Sequence, residues 1–209
     1  MSTYVMSDIH GCSAQYHRML KKIGFSDSDQ LYIIGDVVDR GRDGIELLME
    51  IKQQKNIVMM MGNHEMMMLN AITNDERDIW RHNGCEPTLA GLAKLSEAEQ
   101  TELIRWLVLR PVCLNVTVGE KEFLLVHACP PDICGMVDEY MVWDRVDVNA
   151  IDCTNRTVII GHTPTMFYTD GVCTGILHGE NGALNIDCGC VYGGQLACVR
   201  LDDLKEYYI

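Results

Sequence analysis

The sequence predicts an α/β fold, and two observations carry that prediction. In the first third of the chain, short apolar runs of strand length alternate with segments whose apolar residues recur at helical spacing. After a long polar stretch with a helical pattern, the second half returns to short apolar runs. Because strand–helix–strand units are right-handed and place their strands in parallel, the first third should form a largely parallel sheet.

The first third contains three predicted strands and two predicted helices. The strands cover residues 4–6, 31–34 and 57–61. The apolar stripes of the two helices are Tyr16, Met19, Leu20 and Ile23, and then Ile45, Leu48 and Met49. The second and third strands lead directly to Gly35 and Gly62, which are typical residues at a turn.

The middle of the chain, from residue 74 to residue 110, is polar and predicted to be helical. Ser96 followed by Glu99 is typical of a capping box, and the helix that it opens carries Leu103 and Leu107 on one face. Four more strands are predicted at residues 123–126, 157–160, 183–186 and 196–199. We therefore expect a single domain over residues 1–209, with a helical insertion near residues 66–110.

The composition excludes two broad classes of protein. The 209 residues are 47% hydrophobic and 22% charged, which is typical of folded domains and not of disordered chains. No apolar run reaches the roughly 18 residues that a membrane-spanning helix needs. The chain opens without the basic and apolar segments of a signal peptide, so we expect a cytoplasmic protein whose ten cysteines are mostly thiols.

The charge of the chain limits its partners. A net charge of −13 disfavours broad binding to nucleic acid or to an anionic membrane, and we expect neither as a stable partner. A phosphorylated substrate is still compatible with this charge if a local positive centre attracts it. Bound metal would provide such a centre.

Polar motifs follow five of the predicted strands, at the point where each strand ends. In chain order they are Asp8-Ile9-His10-Gly11, Gly35-Asp36-Val37-Val38-Asp39-Arg40-Gly41, Gly62-Asn63-His64-Glu65, Val126-His127-Ala128 and Gly161-His162-Thr163. In open α/β sheets, functional groups gather beyond the carboxyl ends of the strands. These side chains should therefore meet at one edge, where their burial would be costly unless they were paired or bound metal.

The donor types in these motifs favour metal binding. Imidazole, carboxylate and amide groups together suit two adjacent ions of manganese, iron or zinc better than an all-oxygen magnesium site. The glycines beside the ligands should let the backbone turn tightly and let substrate approach closely. One such motif alone is common in purely structural settings, but five in order, each at a strand end, predict a two-metal centre.

The ordered motifs closely resemble those of the metallophosphoesterase superfamily. The Asp-Arg-Gly and Asn-His-Glu forms resemble its phosphoprotein phosphatase branch, especially the compact bacterial and bacteriophage serine/threonine phosphatases. The resemblance spans roughly residues 4–200. It implies a four-layer fold in which two mixed β-sheets pack face to face as a sandwich and are flanked by helices.

The resemblance also implies a ligand set. Asp8 and His10 would hold the first metal, Asp36 would bridge both, and Asn63, His127 and His162 would complete the second. Two departures from the family pattern are small: Ser7 stands where many members have glycine, and Cys129 stands where glycine often follows Val-His-Ala. Neither removes a ligand. Cys12 and Cys129 follow ligand motifs closely, and each could be a redox-sensitive thiol or a small buried side chain.

Roles for the remaining polar residues follow from the family pattern and the charges. A hydroxide held between the two ions would attack phosphorus directly, and His64, oriented by Asp39, would protonate the leaving alkoxide. Arg40, Arg145 and Asn63 would bind the substrate phosphate.

Three nearby assignments are less specific. Arg145 could instead pair with Asp144 or Asp147. Trp143 is interpreted as a packing residue. Asp187 could lie beside the metal ligands or simply cap a loop.

The function expected from these roles is metal-dependent hydrolysis of phosphoserine and phosphothreonine in proteins, with two divalent ions, manganese before iron or zinc. The partner would be a phosphorylated protein or peptide. An alternative is symmetric diadenosine tetraphosphate hydrolysis, or another nucleotide or RNA-end phosphoesterase with the same metal core. A non-catalytic binding scaffold is a third possibility, but such a module should have lost ligands or the acid, and all are present.

Overall fold

Two five-stranded sheets form the centre of the computed structural model, which describes residues 1–168, 171 and 175–209. The strands are β1 (Thr3–Met6), β2 (Gln30–Ile33), β3 (Ile57–Met59), β4 (Cys113–Val118), β5 (Lys121–Val126), β6 (Thr157–Ile160), β7 (Leu177–His178), β8 (Leu184–Asn185), β9 (Ala197–Arg200) and β10 (Lys205–Tyr208). The helices are α1 (Ser13–Ile23), α2 (Gly44–Gln53), α3 (Asn63–Thr73), α4 (Arg77–His82), α5 (Glu86–Leu92), α6 (Glu97–Val108), α7 (Pro131–Cys134) and α8 (Asp138–Trp143).

Both sheets are mixed. In the first sheet the order is β10-β9-β1-β2-β3, with β1, β2 and β3 parallel, as the helical connections α1 and α2 require. Strands β9 and β10 extend it in antiparallel fashion. In the second sheet the order is β4-β5-β6-β8-β7, with β5, β6 and β8 parallel and the two edge strands antiparallel.

The buried apolar side chains form three clusters, and these lie between the four layers of the fold. Val5 of β1 points toward Ile159 of β6 in a cluster between the two sheets. Its neighbour Met6 points the other way, into a cluster with α1 and α2. A third cluster, which includes Val158, covers the outer face of the second sheet. Strands buried on both faces are typical of parallel sheets under helices, so the predicted sandwich flanked by helices is confirmed.

The helical middle of the chain begins earlier than the pattern indicated. Helix α3 starts at Asn63, so the third metal-site motif lies in its first turn, ahead of residue 66. The predicted capping box is present: the Glu99 N–H donates to Ser96 Oγ at 3.3 Å, and the Ser96 N–H donates to Glu99 Oε2 at 2.8 Å. No helix in the described part of the chain is long and apolar enough to cross a membrane.

Candidate metal centre and active site

The predicted ligands converge at one end of the two sheets. Each follows a strand: Asp8 and His10 come after β1, Asp36 after β2, Asn63 after β3, His127 after β5 and His162 after β6. All are buried except His162, which is partly exposed. Because parallel strands deliver their carboxyl ends to the same edge, residues up to 154 positions apart become neighbours.

Asp36 lies between two groups of histidines. Its Oδ2 is 3.5 Å from His10 Nε2 and 3.9 Å from His64 Nε2. Its Oδ1 is 3.4 Å from His127 Nε2. A carboxylate with one oxygen toward each group has the geometry that a bridging ligand needs.

Asn63 completes the second group of donor atoms, on the Oδ1 side of Asp36. Its Oδ1 lies 3.0 Å from His127 Nε2 and 3.0 Å from His162 Nδ1. The three donor atoms and Asp36 Oδ1 therefore surround one position. This is the set predicted for the second metal.

Backbone carbonyl groups orient two of the imidazoles. The His10 Nδ1–H donates to the Val38 carbonyl at 2.8 Å, and the His127 Nδ1–H donates to the Ile34 carbonyl at 2.7 Å. Each bond turns Nε2 toward the centre of the site. A histidine whose other nitrogen is held in this way is typical of metal sites, because the bond fixes the tautomer.

The donor set fits divalent cations. Two groups have ligand atoms within 4.8 Å of one another: His10, Asp36 and His64, and Asp36, His127 and His162. Within the described residues, Asp8 Oδ1 and His64 Nε2 are buried without a hydrogen-bond partner. Buried polar atoms without partners are rare, and two of them in one site indicate that a further group belongs there. The Asp8 Oδ2 accepts hydrogen bonds from Ser7 and from the His162 N–H, while Asp8 itself belongs to neither of the two groups of donor atoms.

The buried ionisable groups of the site have pKa values that are shifted in different directions. Burial raises the pKa of Asp8 to about 6 and lowers the pKa values of His10 and His162 to about 3. Burial acts the same way on Asp36 and His127, but their mutual attraction outweighs it: the pKa of Asp36 falls well below its usual value and that of His127 rises to about 10. Asp36 is therefore more acidic than Asp8, and the imidazoles of His10 and His162 are neutral; the Arg40 guanidinium donates a hydrogen bond to His10 Nε2 at 2.6 Å.

The backbone is strained at these positions. Six site residues have positive φ angles, between 44° and 69°: Asp8, His10, Asp36, Asp39, Arg40 and His162. Residues other than glycine rarely adopt this left-handed region, and strain of this kind clusters at functional sites. The sharp turns aim consecutive side chains of one loop at different points of the same centre.

Two glycines allow the loops to meet. A Cβ atom on Gly62 would lie 2.2 Å from Asp36 Oδ1, and one on Gly161 would lie 2.3 Å from Asp8 Oδ2. The motif glycines are predicted to allow tight backbone turns and close approach of substrate. In the structure, these two make room for the ligand carboxylates themselves.

Glu65 was quoted as part of a motif but given no role from the sequence. It is fully buried, and its two oxygens accept hydrogen bonds from the backbone N–H groups of Gly62, Asp36, Val37 and Val38 at 2.8–3.2 Å. Burial, followed by repulsion from Asp36, raises the pKa of Glu65 to about 7. The side chain joins the loop after β2 to the start of α3.

The predicted acid pair is assembled inside the protein. The His64 Nδ1–H donates to Asp39 Oδ2 at 2.6 Å, and both side chains are fully buried. His64 Nε2 faces Asp36. The same Asp39 carboxylate accepts hydrogen bonds from Trp80 and Thr88, which the sequence patterns did not indicate.

A cavity of about 140 Å³ opens beside the ligands. It is lined by Asp36, Arg40, Asn63, Asn83, Trp143, Arg145, His162, Pro164, Phe167 and Tyr192. The two predicted phosphate-binding arginines thus face one space. Arg145 is exposed, and no carboxylate of the described residues forms the salt bridge considered for it. The guanidinium of Arg40 packs on the ring of Tyr192 at 5.3 Å.

Trp143 lies in this wall, with its ring edge-on to His162 at 6.3 Å between centroids. Trp143 also packs against the apolar core, so its interpretation as a packing residue is confirmed, and its place in the cavity wall is an additional feature. An isolated tryptophan in a short helix carries no sign of which cavity it faces, so the sequence could not have shown this.

The remaining assignments have mixed outcomes. Asp187 is buried and does both things considered for it: its Oδ1 accepts the Gly189 N–H at 2.9 Å, and it lies near enough to Asp8 for their repulsion, after burial, to raise its pKa. The Cys12 thiol donates to the His10 carbonyl at 3.7 Å, and interaction with the Cys190 thiol lowers the pKa of Cys12. Burial raises the pKa of Cys129 to about 12. Redox sensitivity of Cys12 or Cys129 stays a hypothesis.

Comparison with known sequences identifies relatives with two kinds of substrate. Residues 1–166 match the family model described as calcineurin-like phosphoesterase. A symmetrical bis(5'-nucleosyl)-tetraphosphatase of Haemophilus ducreyi is 35% identical over 130 residues, which are 61% of this chain and 45% of that protein. Serine/threonine-protein phosphatase 1 of Salmonella typhimurium is 26% identical over 213 residues, which are 95% of this chain and 91% of that protein. The chain thus spans less than half the length of the first relative and most of the second.

Comparison of folds agrees with the family match. A solved structure of a candidate diadenosine tetraphosphatase superimposes with a TM-score of 0.71 at 18% identity, covering 99% of this chain and 92% of the other. The similarity in fold and the family match over most of the chain accord with the geometry of the site. The chain belongs to the calcineurin-like phosphoesterase family, a family of metal-dependent hydrolases within the metallophosphoesterase superfamily.

Proposed function

We propose that this protein is a phosphomonoesterase that removes phosphate from phosphoserine and phosphothreonine in proteins. One observation carries the proposal: the buried His64–Asp39 pair, with its Nδ1 to Oδ2 distance of 2.6 Å and with no hydrogen-bond partner for His64 Nε2 among the described residues. A serine or threonine alkoxide is a poor leaving group and needs a proton as it departs. A nucleotide leaves as a stabilised phosphate anion and needs that proton much less.

The proposed ligands are those predicted from the motifs: Asp8, His10, Asp36, Asn63, His127 and His162. Two divalent ions, manganese in our proposal and iron or zinc as alternatives, would when bound neutralise phosphate charge and lower the pKa of the attacking water. The chain's own contribution is to hold the ligands in register through Glu65 and the backbone carbonyl groups, and to keep His64 directed at the leaving oxygen.

Arg40 and Arg145 are proposed to bind the phosphate. Both line the cavity beside Asn63, and guanidinium groups pair well with phosphate oxygens. In a chain with a net charge of −13, two arginines facing one cavity form a local exception that suits an anionic substrate. Asn63 would contact the same phosphate from the metal side.

A second candidate function is hydrolysis of a dinucleoside polyphosphate, and a separate observation supports it. Phe167 and Tyr192 are 61% and 50% exposed at the cavity, with ring centroids 6.3 Å apart. Exposed aromatic rings beside arginines can stack nucleobases. The relative in Haemophilus ducreyi carries the corresponding name.

One parallel assay tests both candidates. The purified protein with manganese would be given phosphoserine, phosphothreonine and phosphotyrosine peptides and diadenosine tetraphosphate. We expect the highest kcat/KM on the phosphoserine and phosphothreonine peptides. A higher kcat/KM on diadenosine tetraphosphate would overturn the protein phosphatase proposal. Metal-loaded protein that hydrolyses none of these would favour the binding scaffold.

A further inference from the structure

The carboxylate of Asp39 is held by more than the imidazole it orients. Its Oδ2 accepts the Trp80 Nε1–H at 2.8 Å in addition to the His64 Nδ1–H, and its Oδ1 accepts the Thr88 hydroxyl at 2.5 Å. The Thr88 Oγ1 also accepts the Asp39 backbone N–H at 2.9 Å. Every one of these groups is buried.

The two extra donors come from the inserted helices. Trp80 lies in α4 and Thr88 in α5, 41 and 49 residues from Asp39. They are 3% and 1% exposed, so their polar atoms cannot use water instead. A buried indole N–H and a buried hydroxyl cost free energy unless paired, and both are aimed at one carboxylate.

This arrangement fixes the carboxylate in two ways. The Thr88 hydroxyl bonds to both the backbone and the side chain of Asp39, whose φ of 68° needs external support. The indole N–H shares Oδ2 with His64, so the direction of that oxygen, and with it the plane of the imidazole, is set from α4. If Oδ2 turned away, Nε2 would no longer face Asp36.

We infer that Trp80 and Thr88 are positioning residues of the general acid, and that α4 and α5 therefore form part of the catalytic apparatus. The inference rests on the proposed function, in which His64 delivers the proton. Neither residue need touch substrate, because both act through Asp39 on His64.

The test uses substitutions that remove a hydrogen-bond donor and keep an apolar side chain in its place. Trp80→Phe removes the indole N–H, and Thr88→Val replaces the hydroxyl with a methyl group, while Thr88→Ser retains the hydroxyl. Hydrogen bonds to a charged group are worth enough that each loss should reduce kcat on a phosphoserine peptide by about tenfold. On p-nitrophenyl phosphate, whose phenolate leaves without a proton, the loss should be about twofold or less. Thr88→Ser should restore most of the activity.

Two matched controls and one readout separate positioning from general damage. Trp106→Phe removes an indole of α6 that packs against Arg110, and Thr73→Val removes a hydroxyl that donates to the Leu69 carbonyl within α3. Both should leave the ratio of the two substrates unchanged. Metal content should equal that of the original protein in all five variants.

His64→Asn, measured in the same series, distinguishes a failure of the proposed function from a failure of the positioning role alone. Equal losses on both substrates for His64→Asn would show that His64 is not the acid, and the proposed function would fail together with this inference. A selective loss for His64→Asn, combined with Trp80→Phe and Thr88→Val variants that lose nothing or lose both substrates equally, would overturn the positioning role alone. If Thr88→Val does not fold, Thr88→Ala takes its place in the same comparison, and an equal loss on both substrates there would overturn the positioning role.

Discussion

The carboxylate of Glu65 accepts the backbone N–H of Asp36 at 2.9 Å, although the two residues stand 29 positions apart in the chain. Three further backbone N–H groups bond to the same side chain. One buried glutamate thus fixes the loop that carries Asp36, the proposed bridging ligand, against the helix that carries Asn63 and His64. We expect the relative placement of the two proposed metal positions to depend on this contact.

We expect Glu65→Gln to weaken both the fold and the metal centre. One of the two acceptor oxygens becomes an amide NH₂, which would face backbone N–H donors, and the cost should be about 1–3 kcal/mol in the free energy of unfolding. Chemical denaturation and metal analysis measure the two effects. Glu46→Gln, which changes an exposed partner of Lys94, is the matched control and should cost little. A Glu65→Gln protein as stable as that control would contradict the role given to this side chain.

Activity should require divalent metal. Chelation should abolish hydrolysis, and manganese should restore it best, because the donor set mixes imidazole, carboxylate and amide groups. The measurement is turnover after dialysis, followed by titration with manganese, zinc, iron and magnesium in parallel. Full turnover by protein shown to contain no metal would exclude the two-metal mechanism.

The bridging role predicts unequal losses of metal among ligand variants. Asp36→Asn should reduce occupancy at both positions, since its two oxygens face the two groups. His10→Ala should chiefly empty the first. Elemental analysis counts the metal ions in each variant. The control is His17→Ala, which changes an exposed histidine paired with Glu50 and should keep two ions. Two tightly held ions in Asp36→Asn would refute the assignment.

His64 lies within reach of the first group of donors, so its role as acid rather than ligand needs a direct test. We expect His64→Asn to retain both ions and the fold, while turnover of a phosphoserine peptide falls roughly 100-fold. Metal analysis on the same preparation gives the answer. The loss of one ion would show that His64 is a ligand and that the proton comes from elsewhere.

The exposed rings at the cavity should affect nucleotides more than phosphopeptides. Phe167→Ala should lower kcat/KM for diadenosine tetraphosphate by about fivefold or more, because stacking on one base is worth about 1–3 kcal/mol. Phosphoserine peptides should be little affected. Leu109→Ala, at an exposed apolar residue outside the cavity, serves as the control. Equal effects on the two substrates would show that the exposed rings do not favour nucleotides, and the second candidate function would lose its structural support.

The positions of the predicted ligands could be anticipated because each motif follows a strand, and parallel strands bring their ends together. The contacts of Trp80 and Thr88 with Asp39 could not, because they join segments more than 40 residues apart with no regular spacing. The strand β10 was also missed: it is a four-residue edge strand, KEYY, in which charged residues interrupt the apolar pattern. Strand β7 has only two residues, too few for any periodicity.

The left-handed backbone at six site residues has a consequence for how this protein can change. A non-glycine residue in that region costs about 1–2 kcal/mol relative to glycine, somewhat less for aspartate. Replacing Arg40 with glycine, at φ 66°, would relieve that strain while removing a group that we propose binds phosphate. Selection for heat resistance alone would therefore act against the very residues that give the site its shape. Only continued selection for turnover would keep them.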